Sequence, residues 1–403
     1  MRIFFVCQRV PFPPDRGDKI TTFNEVRHLS RHHEVHVFCL ADGAEDLANV
    51  PGLLAYAKSV TAVPAHPLMG KLRAAKALVT GKPLSVAAFD EEKLHATIKR
   101  KFAELKPDLM FVYSCNVAQY LEHFPEVPRI MQFADLDSLK WGQYAQRSTI
   151  PMKWIYELER KRLLDYERHI ARSFSHSLVC TAVERRDFEQ LIPGRSVSLV
   201  GNGVDLEFFR PEGRAKNPAS IIFTGVMNYW PNVDAVQWFC DAIFPLVQKQ
   251  VPEASFTICG SRPNDAVQKL GKRPGVSVTG RVPDTRPFLD SAEVFVAPLR
   301  MARGIQNKLL EAIAMGLPVV SSAAAWSGTA IPAGEGVLAA DDPAVFAGHV
   351  VHLLRDKNYR NEMARKARAA AETYYTWDAQ LKELDRIIGR FATTPPSLAA
   401  ASR

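Results

Sequence analysis

A lysine and a glutamate, Lys308 and Glu311, follow a glycine loop at Gly304 and lie three residues apart. The apolar run at residues 294–299 predicts a buried strand before the loop, and the spacing afterwards predicts a helix ending at Gly316. Such a loop aims free backbone N–H groups and the positive helix end at one point. A lysine there is unfavourable without an anion, and the glutamate would reach hydroxyl groups on the same ligand. The pattern indicates a nucleotide site, although an ordinary strand–helix–strand unit with solvated side chains fits it as well.

Polar residues and a glycine also follow strands predicted in the first half of the chain. Gly17 lies in a loop after the apolar strand at residues 3–7, and Asp135 and Asp137 follow a strand starting at residue 129. Ligands of parallel α/β sheets bind beyond the carboxyl ends of the strands. Gly17 could bring a backbone N–H to a phosphate, or form a simple turn. Asp135, and less so Asp137, could orient an acceptor hydroxyl or act as a base, or cap the next helix.

Three predicted strands of the second half each end in a glycine. These glycines are Gly225, Gly260 and Gly280. Because glycine has no Cβ, they would place bare backbone along one rim of the sheet.

Strands alternate with helices in both halves, which predicts an α/β fold with two Rossmann-like, doubly wound parallel sheets. The turn at residues 201–205 suits a domain junction. We therefore expect an N-terminal domain at residues 1–200 and a second domain at residues 201–373. We expect a final helix at residues 374–391 and a flexible tail at 392–403. A ligand would bind in a cleft that the two domains face.

Composition supports a globular protein of 403 residues, long enough for two domains, with 47% hydrophobic residues and a net charge of +8. The basic residues do not alternate with aromatic ones, so we expect no nucleic-acid partner. The six scattered cysteines form no CxxC pair, which favours buried free thiols in a reducing compartment. No leader peptide is visible, and no apolar run approaches the roughly 20 residues that span a bilayer. We expect a cytoplasmic protein that can lie peripherally on the inner face of the cell membrane.

A basic amphipathic segment at residues 66–84 is the reason for expecting a membrane partner. It contains Lys71, Arg73, Lys76 and Lys82 and no acidic residue. Such a segment could lie on an anionic bilayer surface, although a plain solvated helix shows the same pattern.

The chain resembles the retaining glycosyltransferases of the GT-B fold, in glycosyltransferase family 4. Four stretches carry the resemblance: the first strand with its Gly17 loop, residues 202–208, residues 280–284, and residues 304–320. The last stretch matches the donor-site signature of that family, a glycine loop, a helix carrying glutamate, and Gly-x-Pro-Val-Val. Residues 232–239 and 304–308 are most similar to transferases associated with bacterial exopolysaccharide and exosortase (PEP-CTERM) gene sets.

The resemblance implies that residues 1–200 form the acceptor-side domain and residues 201–373 the donor-binding domain. It also implies a nucleotide-diphosphate sugar as donor and roles for particular residues. Glu311 would bind the ribose hydroxyls, Lys308 and nearby backbone would hold the diphosphate, and Gly17 would offer an N–H to the same phosphates. Asp135 matches only loosely a residue that contacts acceptor or sugar. The implied donor-binding set is Gly17, Gly225, Gly304, Ile305, Gln306, Asn307, Lys308, Leu309 and Glu311. The implied catalytic set is Asp135, Arg303 and Lys308.

Two departures from the family pattern concern charge. The family has a glutamate eight residues before Glu311, where this chain has Arg303. The family also places an arginine and a lysine after the first strand of the second domain, where residues 226–231 contain no cation. Arg303 and Lys308 could supply the missing positive charge.

The implied reaction transfers a sugar to an acceptor hydroxyl with retention at the anomeric carbon. The acceptor would be a glycan or a polyprenyl-linked sugar in exopolysaccharide or lipid-linked glycan assembly. No Asp-x-Asp occurs in a suitable donor loop, so we expect no metal and no other cofactor. Alternatives are a nucleotide-sugar epimerase on the same fold, a basic phosphate- or nucleic-acid-binding module, and a non-catalytic relative that binds a membrane.

Overall fold

Two compact units make up the structure, a computed structural model that describes residues 1–392. Unit 1 contains Met1–Gly201 and residues 381–392, and unit 2 contains Asn202–Gln380. The first division lies one residue after the predicted boundary at 200. The second lies at 380/381 rather than at 373. The predicted flexible tail lies, from residue 393 onward, outside the described residues.

Unit 1 is built on a parallel sheet of seven strands in the order β3-β2-β1-β4-β5-β6-β7. The strands are β1 Arg2–Cys7, β2 Glu34–Ala41, β3 Ser59–Pro64, β4 Leu109–Tyr113, β5 Arg129–Ala134, β6 His176–Val179 and β7 Val197–Leu199. Apolar residues fill both faces of the central strands, as expected for a sheet covered by helices on each side. Phe5 of β1 pairs with Phe111 of β4, and their rings stack with centroids 4.9 Å apart.

The helices of unit 1 alternate with these strands along the chain. They are α1 Gly17–Leu29, α2 Ala44–Ala48, α3 Val50–Leu53, α4 Pro67–Thr80, α5 Leu84–Ala88, α6 Glu92–Leu105, α7 Asp137–Gln146, α8 Met152–Ser173 and α9 Ala182–Leu191, with a 3₁₀ helix at Cys115–Tyr120. The predicted loop containing Gly17 was wrong at this residue, because Gly17 is the first residue of α1. Glycine is tolerated there because the first helical N–H has no partner within the helix.

Unit 2 contains a parallel sheet of six strands in the order β10-β9-β8-β11-β12-β13. The strands are β8 Ser220–Thr224, β9 Ser255–Cys259, β10 Val276–Gly280, β11 Val294–Ala297, β12 Val319–Ser321 and β13 Val337–Ala339. The helices are α10 Trp230–Trp238, α11 Phe244–Gln250, α12 Asp265–Leu270, α13 Arg286–Ser291, α14 Asn307–Ala314, α15 Ala323–Trp326, α16 Pro343–Arg355 and α17 Lys357–Tyr374. A π-helical turn at Phe239–Ile243 joins α10 to α11. Two parallel, helix-covered sheets confirm the predicted fold class.

The last helix, α18 Trp377–Ala392, starts in unit 2 and ends in unit 1. The predicted start at residue 374 was wrong, because Tyr374 ends α17 and Thr376 pairs with Val204 in a parallel bridge. The apolar face predicted for this helix is buried, with Leu384 and Ile387 fully inaccessible.

All six cysteines are free and buried, as predicted from their positions in apolar runs. Within residues 1–392, no helix combines the length and apolar character needed to cross a membrane.

Candidate functional site

The carboxyl ends of β8 and β9 meet through two glycines, Gly225 and Gly260. A Cβ on Gly260 would lie 1.7 Å from the carbonyl oxygen of Gly225, so only glycine allows this approach. The Gly225 N–H donates to the Cys259 carbonyl at 3.1 Å. The predicted glycine rim is present, since β8, β9 and β10 are neighbours and Gly280 ends β10.

A second glycine contact shapes the loop before α14. Gly304 has a φ of 63°, a left-handed conformation that favours glycine. A Cβ on Gly328 would lie 2.2 Å from the Gly304 carbonyl oxygen, so the loop is packed tightly against the segment after α15. Ile305 also packs against the core of unit 2. The loop therefore fixes where α14 begins.

Helix α14 begins at Asn307 with free backbone donors. Gln306 precedes the helix and gives no side-chain cap; its amide instead donates to the Arg303 carbonyl at 3.0 Å. The N–H groups of Leu309 and Leu310 donate to the Gln306 carbonyl. The N–H groups of Asn307 and Lys308 precede the first possible intrahelical bond, so they can bind an anion.

Asn202 holds the start of α14 in place. Its Nδ2 donates to Oδ1 of Asn307 at 2.9 Å, although the two residues are separated by 105 positions in the chain. Asn202 is buried. This bond ties the first residue of the helix to the turn at residues 201–205.

The Lys308 ammonium group lies at the carboxyl end of β8. Its Nζ donates to Oδ1 of Asn232 and lies 4.7 Å from the ring centroid of Phe223. A Cβ on Gly225 would be only 3.3 Å from the same Nζ. Asn232 is itself fixed, since its Nδ2 donates to the Val226 carbonyl at 2.9 Å. Lys308 therefore supplies a cation beside residues 226–231, which contain none.

Burial shifts the protonation of both charged residues of α14. It lowers the pKa of the Lys308 ammonium to about 7, and the nearby Glu311 charge partly offsets this. Burial also raises the pKa of the Glu311 carboxyl to about 7, and the Lys308 charge partly offsets that shift. Neighbouring residues whose pKa values are shifted in this way are typical of functional sites. Within residues 1–392, no donor lies within hydrogen-bonding distance of the Glu311 carboxylate, so it can accept hydrogen bonds from a ligand.

The predicted residues divide between the two units. Lys308, Glu311 and the backbone of the Gly304 loop lie together in unit 2, with Gly225 in contact range of Lys308. Arg303 is partly exposed in the same loop, and its carbonyl accepts from Gln306. Gly17 and Asp135 belong to unit 1.

Asp135 follows β5 directly, at the carboxyl end where it was predicted. Its Oδ1 lies 3.6 Å from the sulfur of Cys180. Asp137 instead begins α7, where it pairs with Lys140 at 2.6 Å and accepts from Asn116 at 3.2 Å. Asp137 is thus committed to contacts within unit 1, while Asp135 lies at the strand end.

Two residues of this site, Asn232 and Asn202, were not among the predicted site residues. Asn232 contacts Lys308 across 76 positions in the chain, and no local pattern connects them. The sequence held one signal for this contact: residues 226–231 lack the cations that the family has there. A lysine from another part of the chain was therefore to be expected beside these residues. Asn202 lies in a turn that was predicted as a domain junction and that forms part of the family resemblance, without a predicted role for this residue in the site.

Residues 218–356, the greater part of unit 2, match the family model described as Glycosyl transferases group 1. A stretch of 156 residues is 23% identical to the "uncharacterized 44.6 kDa protein in cps region" of Klebsiella pneumoniae. That alignment covers 37% of this chain and 40% of the relative, so the chain spans about two fifths of the relative's length.

Solved structures are similar to this chain over nearly its whole length. Sucrose-phosphate synthase from Thermosynechococcus elongatus has a TM-score of 0.72 at 15% identity, covering 98% of this chain and 100% of that one. Anabaena HepE in complex with UDP-glucose has a TM-score of 0.69 at 14% identity, covering 97% and 100%. A mutant of S. aureus TarM, solved with fondaparinux, alpha-GlcNAc-glycerol and UDP, has a TM-score of 0.71 at 10% identity, covering 97% and 100%. The fold of this chain is therefore GT-B, and the match of residues 218–356 to the Glycosyl transferases group 1 model supports a glycosyltransferase.

Proposed function

We propose that this chain transfers a sugar from a nucleotide-diphosphate sugar to an acceptor hydroxyl, with retention at the anomeric carbon. The observation that carries the proposal is the pairing of a fixed cation, Lys308, with an uncommitted carboxylate, Glu311, at the start of α14. These are the two recognition elements that a nucleoside diphosphate requires. The match of residues 218–356 to the glycosyl transferases group 1 model supports the same assignment.

In the proposed complex, the donor diphosphate binds at the amino end of α14. The free N–H groups of Asn307 and Lys308, the helix dipole and the Lys308 ammonium all favour negative charge at that point. Negative charge grows on the diphosphate as the glycosidic bond breaks, so the same groups stabilise the departing group. We propose that this stabilisation needs no metal ion, and that departure and attack occur on the same face of the sugar.

The proposal also assigns residues to the nucleoside of the donor and to the acceptor. Glu311 would accept hydrogen bonds from the ribose hydroxyls, and Asp135 would contact the sugar or the acceptor. The similar structures of HepE and TarM were solved with UDP-glucose and with UDP, which makes UDP-sugars the first donors to test. The relative from a cps region favours an acceptor in exopolysaccharide or lipid-linked glycan assembly, as in glycosyltransferase family 4 and the exosortase-associated transferases.

A metal-free thermal-shift screen tests the donor. The wild type and Glu311→Ala are melted with UDP, GDP, ADP and their sugar conjugates, with EDTA present throughout. A ligand at a hundred times its dissociation constant adds about 2.7 kcal/mol of stability. We expect one nucleoside to stabilise the wild type and to lose this effect in Glu311→Ala. No shift with any nucleotide would contradict the proposal, and a shift that requires added Mg²⁺ would contradict metal independence.

Donor binding should also change the protonation of Lys308. In the protein without donor, the Lys308 side chain at pH 8 is largely the neutral amine, since burial lowers its pKa to about 7. A bound diphosphate raises that pKa, so binding takes up close to one proton and weakens as pH rises above about 7. Calorimetry in buffers of different ionisation enthalpy measures the uptake, using a nucleotide sugar because its phosphates do not titrate near neutral pH. Glu311→Gln should keep the uptake and Lys308→Met should lose it; the reverse pattern would assign the proton to Glu311.

A further inference from the structure

Helix α4 Pro67–Thr80 is packed with its small residues inward and its large apolar residues outward. Gly70 and Ala77 are buried. Leu68 is 71% exposed and Val79 is 87% exposed. Of the seventeen exposed large hydrophobic side chains in the described residues, five belong to this one helix of 14 residues: Leu68, Met69, Leu72, Leu78 and Val79. The apolar face predicted from the sequence therefore points away from the core.

Specific contacts hold α4 in this orientation. A Cβ on Gly70 would lie 2.8 Å from the Ala88 carbonyl oxygen, so α4 approaches the end of α5 as closely as its backbone allows. Arg162 of α8 donates to the carbonyls of Ala77 and Leu78 at 2.8 and 3.0 Å. Because these contacts hold both ends of the helix, α4 cannot turn its apolar side chains inward while unit 1 stays folded.

The turn after α4 is anchored as well. Glu159 of α8 is fully buried and accepts hydrogen bonds from the backbone N–H groups of Leu84 and Ser85 at 2.6 and 2.9 Å. The α4–α5 pair is thus fixed to the rest of unit 1 by charged groups at two points.

The basic residues of the segment fall into two groups. Arg73 and Lys82 are neutralised by acids outside the segment, Glu91 at 2.5 Å and Asp90 at 2.6 Å. Lys71 and Lys76 are exposed, and neither pairs with an acid within residues 1–392. The outward face of α4 therefore carries positive charge with nothing in the described chain to balance it.

Helical geometry places these two lysines beside the apolar row. Leu68, Leu72 and Val79 follow spacings of four and seven residues and share one line along the helix. Lys71 and Lys76 lie on opposite sides of that line, each roughly 60–80° from its centre at 100° per residue. An apolar stripe bordered by lysines is the arrangement that inserts at the boundary of lipid headgroups and acyl chains.

We propose that the outward face of α4 docks unit 1 on an anionic bilayer surface. Leu68, Leu72 and Val79 enter the interface, while Lys71 and Lys76 remain at the level of the acidic headgroups. The unbalanced charge selects an anionic surface over a neutral one. The proposal concerns binding alone, and it stands or falls without the transfer reaction proposed above.

Vesicle sedimentation tests the proposal with the full chain. Phosphatidylcholine vesicles with and without phosphatidylglycerol are used, and the bound fraction is measured against lipid concentration and salt. We expect binding only to vesicles with phosphatidylglycerol, weakening with added salt. Lys71→Gln with Lys76→Gln should weaken partitioning by about five-fold for each lysine. Leu68→Ser with Leu72→Ser and Val79→Ser should weaken it by about ten-fold or more.

Matched variants keep the test specific to α4. Lys93→Gln with Lys99→Gln removes the same charge from exposed positions of α6, and Leu246→Ser with Val345→Ser removes exposed apolar groups from unit 2. Both should bind as the wild type does. Equal binding to neutral vesicles, or unchanged binding of the α4 variants, would overturn the proposal. So would a wild type that ignores vesicles and elutes as a dimer that the apolar α4 variant converts to monomer, because a second copy would then cover this face.

Discussion

Lys308→Met is expected to lower kcat/KM by about 100- to 1,000-fold, the loss typical of removing one group that stabilises a developing anion. The Lys308 ammonium group lies at the carboxyl end of β8, beside a loop that contains no cation. Initial rates with the donor found in the thermal-shift screen measure the effect. An unchanged rate would remove Lys308 from the mechanism.

The stability of the same variant separates this effect from misfolding. Methionine has nearly the length of lysine and can pack against Phe223 without the cost of burying an ammonium group, which is what lowers the pKa of Lys308. The variant also removes the donor to Asn232 and the charge that lowers the pKa of Glu311, so these effects oppose each other and we expect Lys308→Met to melt close to the wild-type temperature. Lys249→Met, at an exposed position of α11, is the matched control and should retain full activity. A low activity accompanied by a lower melting temperature would point to structural damage instead.

Glu25→Gln is expected to stabilise unit 1 by about 3–4 kcal/mol at pH 8 and to have little effect at pH 5. Glu25 lies in α1 with no exposed surface, and neither carboxyl oxygen has a hydrogen-bond partner within residues 1–392. Burial raises its pKa to about 8, an effect that nearby Gln132 reduces. The Gln132 side chain is already bonded to the Val200 carbonyl and the Ala134 N–H.

The direction of the pH dependence follows from the raised pKa. Below about pH 4.5 the Glu25 carboxyl is protonated in both the folded and the unfolded state, so it adds no penalty. Between about 4.5 and 8 the unfolded state gives up the proton and the folded state keeps it. The free energy of unfolding therefore falls as pH rises through this window.

Urea unfolding at pH 5 and pH 8 measures the difference, with hydrogen exchange of β1 and β4 peptides assigning it to unit 1. Glu167 of α8, whose pKa burial also raises to about 8, will leave part of the wild-type pH dependence in the variant. Glu92→Gln removes an exposed carboxylate from the same unit and should change nothing. A variant that shows the full wild-type pH dependence would mean that Glu25 is ionised in the folded protein.

Local pattern was enough to predict the strand, the loop and the helix that position Lys308 and Glu311. A strand, a glycine loop and a helix with Lys308 and Glu311 in its first turns are all encoded within about 25 consecutive residues. The partner that fixes Lys308 could not be predicted in this way, because Asn232 lies in another strand–helix unit and meets it only through the order of β8 and β11 in the sheet. Tertiary contacts of this kind leave no periodicity in the sequence.

Periodicity also does not show which face of a helix packs against the core. The apolar spacing in residues 66–84 predicts an amphipathic helix but not which side faces the core. Gly70 decides the matter, because only a residue without Cβ can approach the Ala88 carbonyl, and this is visible only when the two segments are seen together. The prediction of a loop at Gly17 was wrong for a related reason: the proline-rich residues before it indicate a turn, yet a glycine can also begin a helix.

The chain path makes unit 2 an insertion within unit 1. Residues 202–380 leave and return at neighbouring points, since the Val204 N–H donates to the Tyr375 carbonyl at 2.7 Å and Val204 bridges Thr376. Unit 2 could therefore be excised as one continuous segment whose ends are already hydrogen-bonded to each other. Unit 1, by contrast, is built from two separate stretches of the chain: Asp385 of α18 accepts from His28 of α1 at 2.8 Å. A truncation that removes residues 381–392 would thus remove a structural element of unit 1 and not of unit 2.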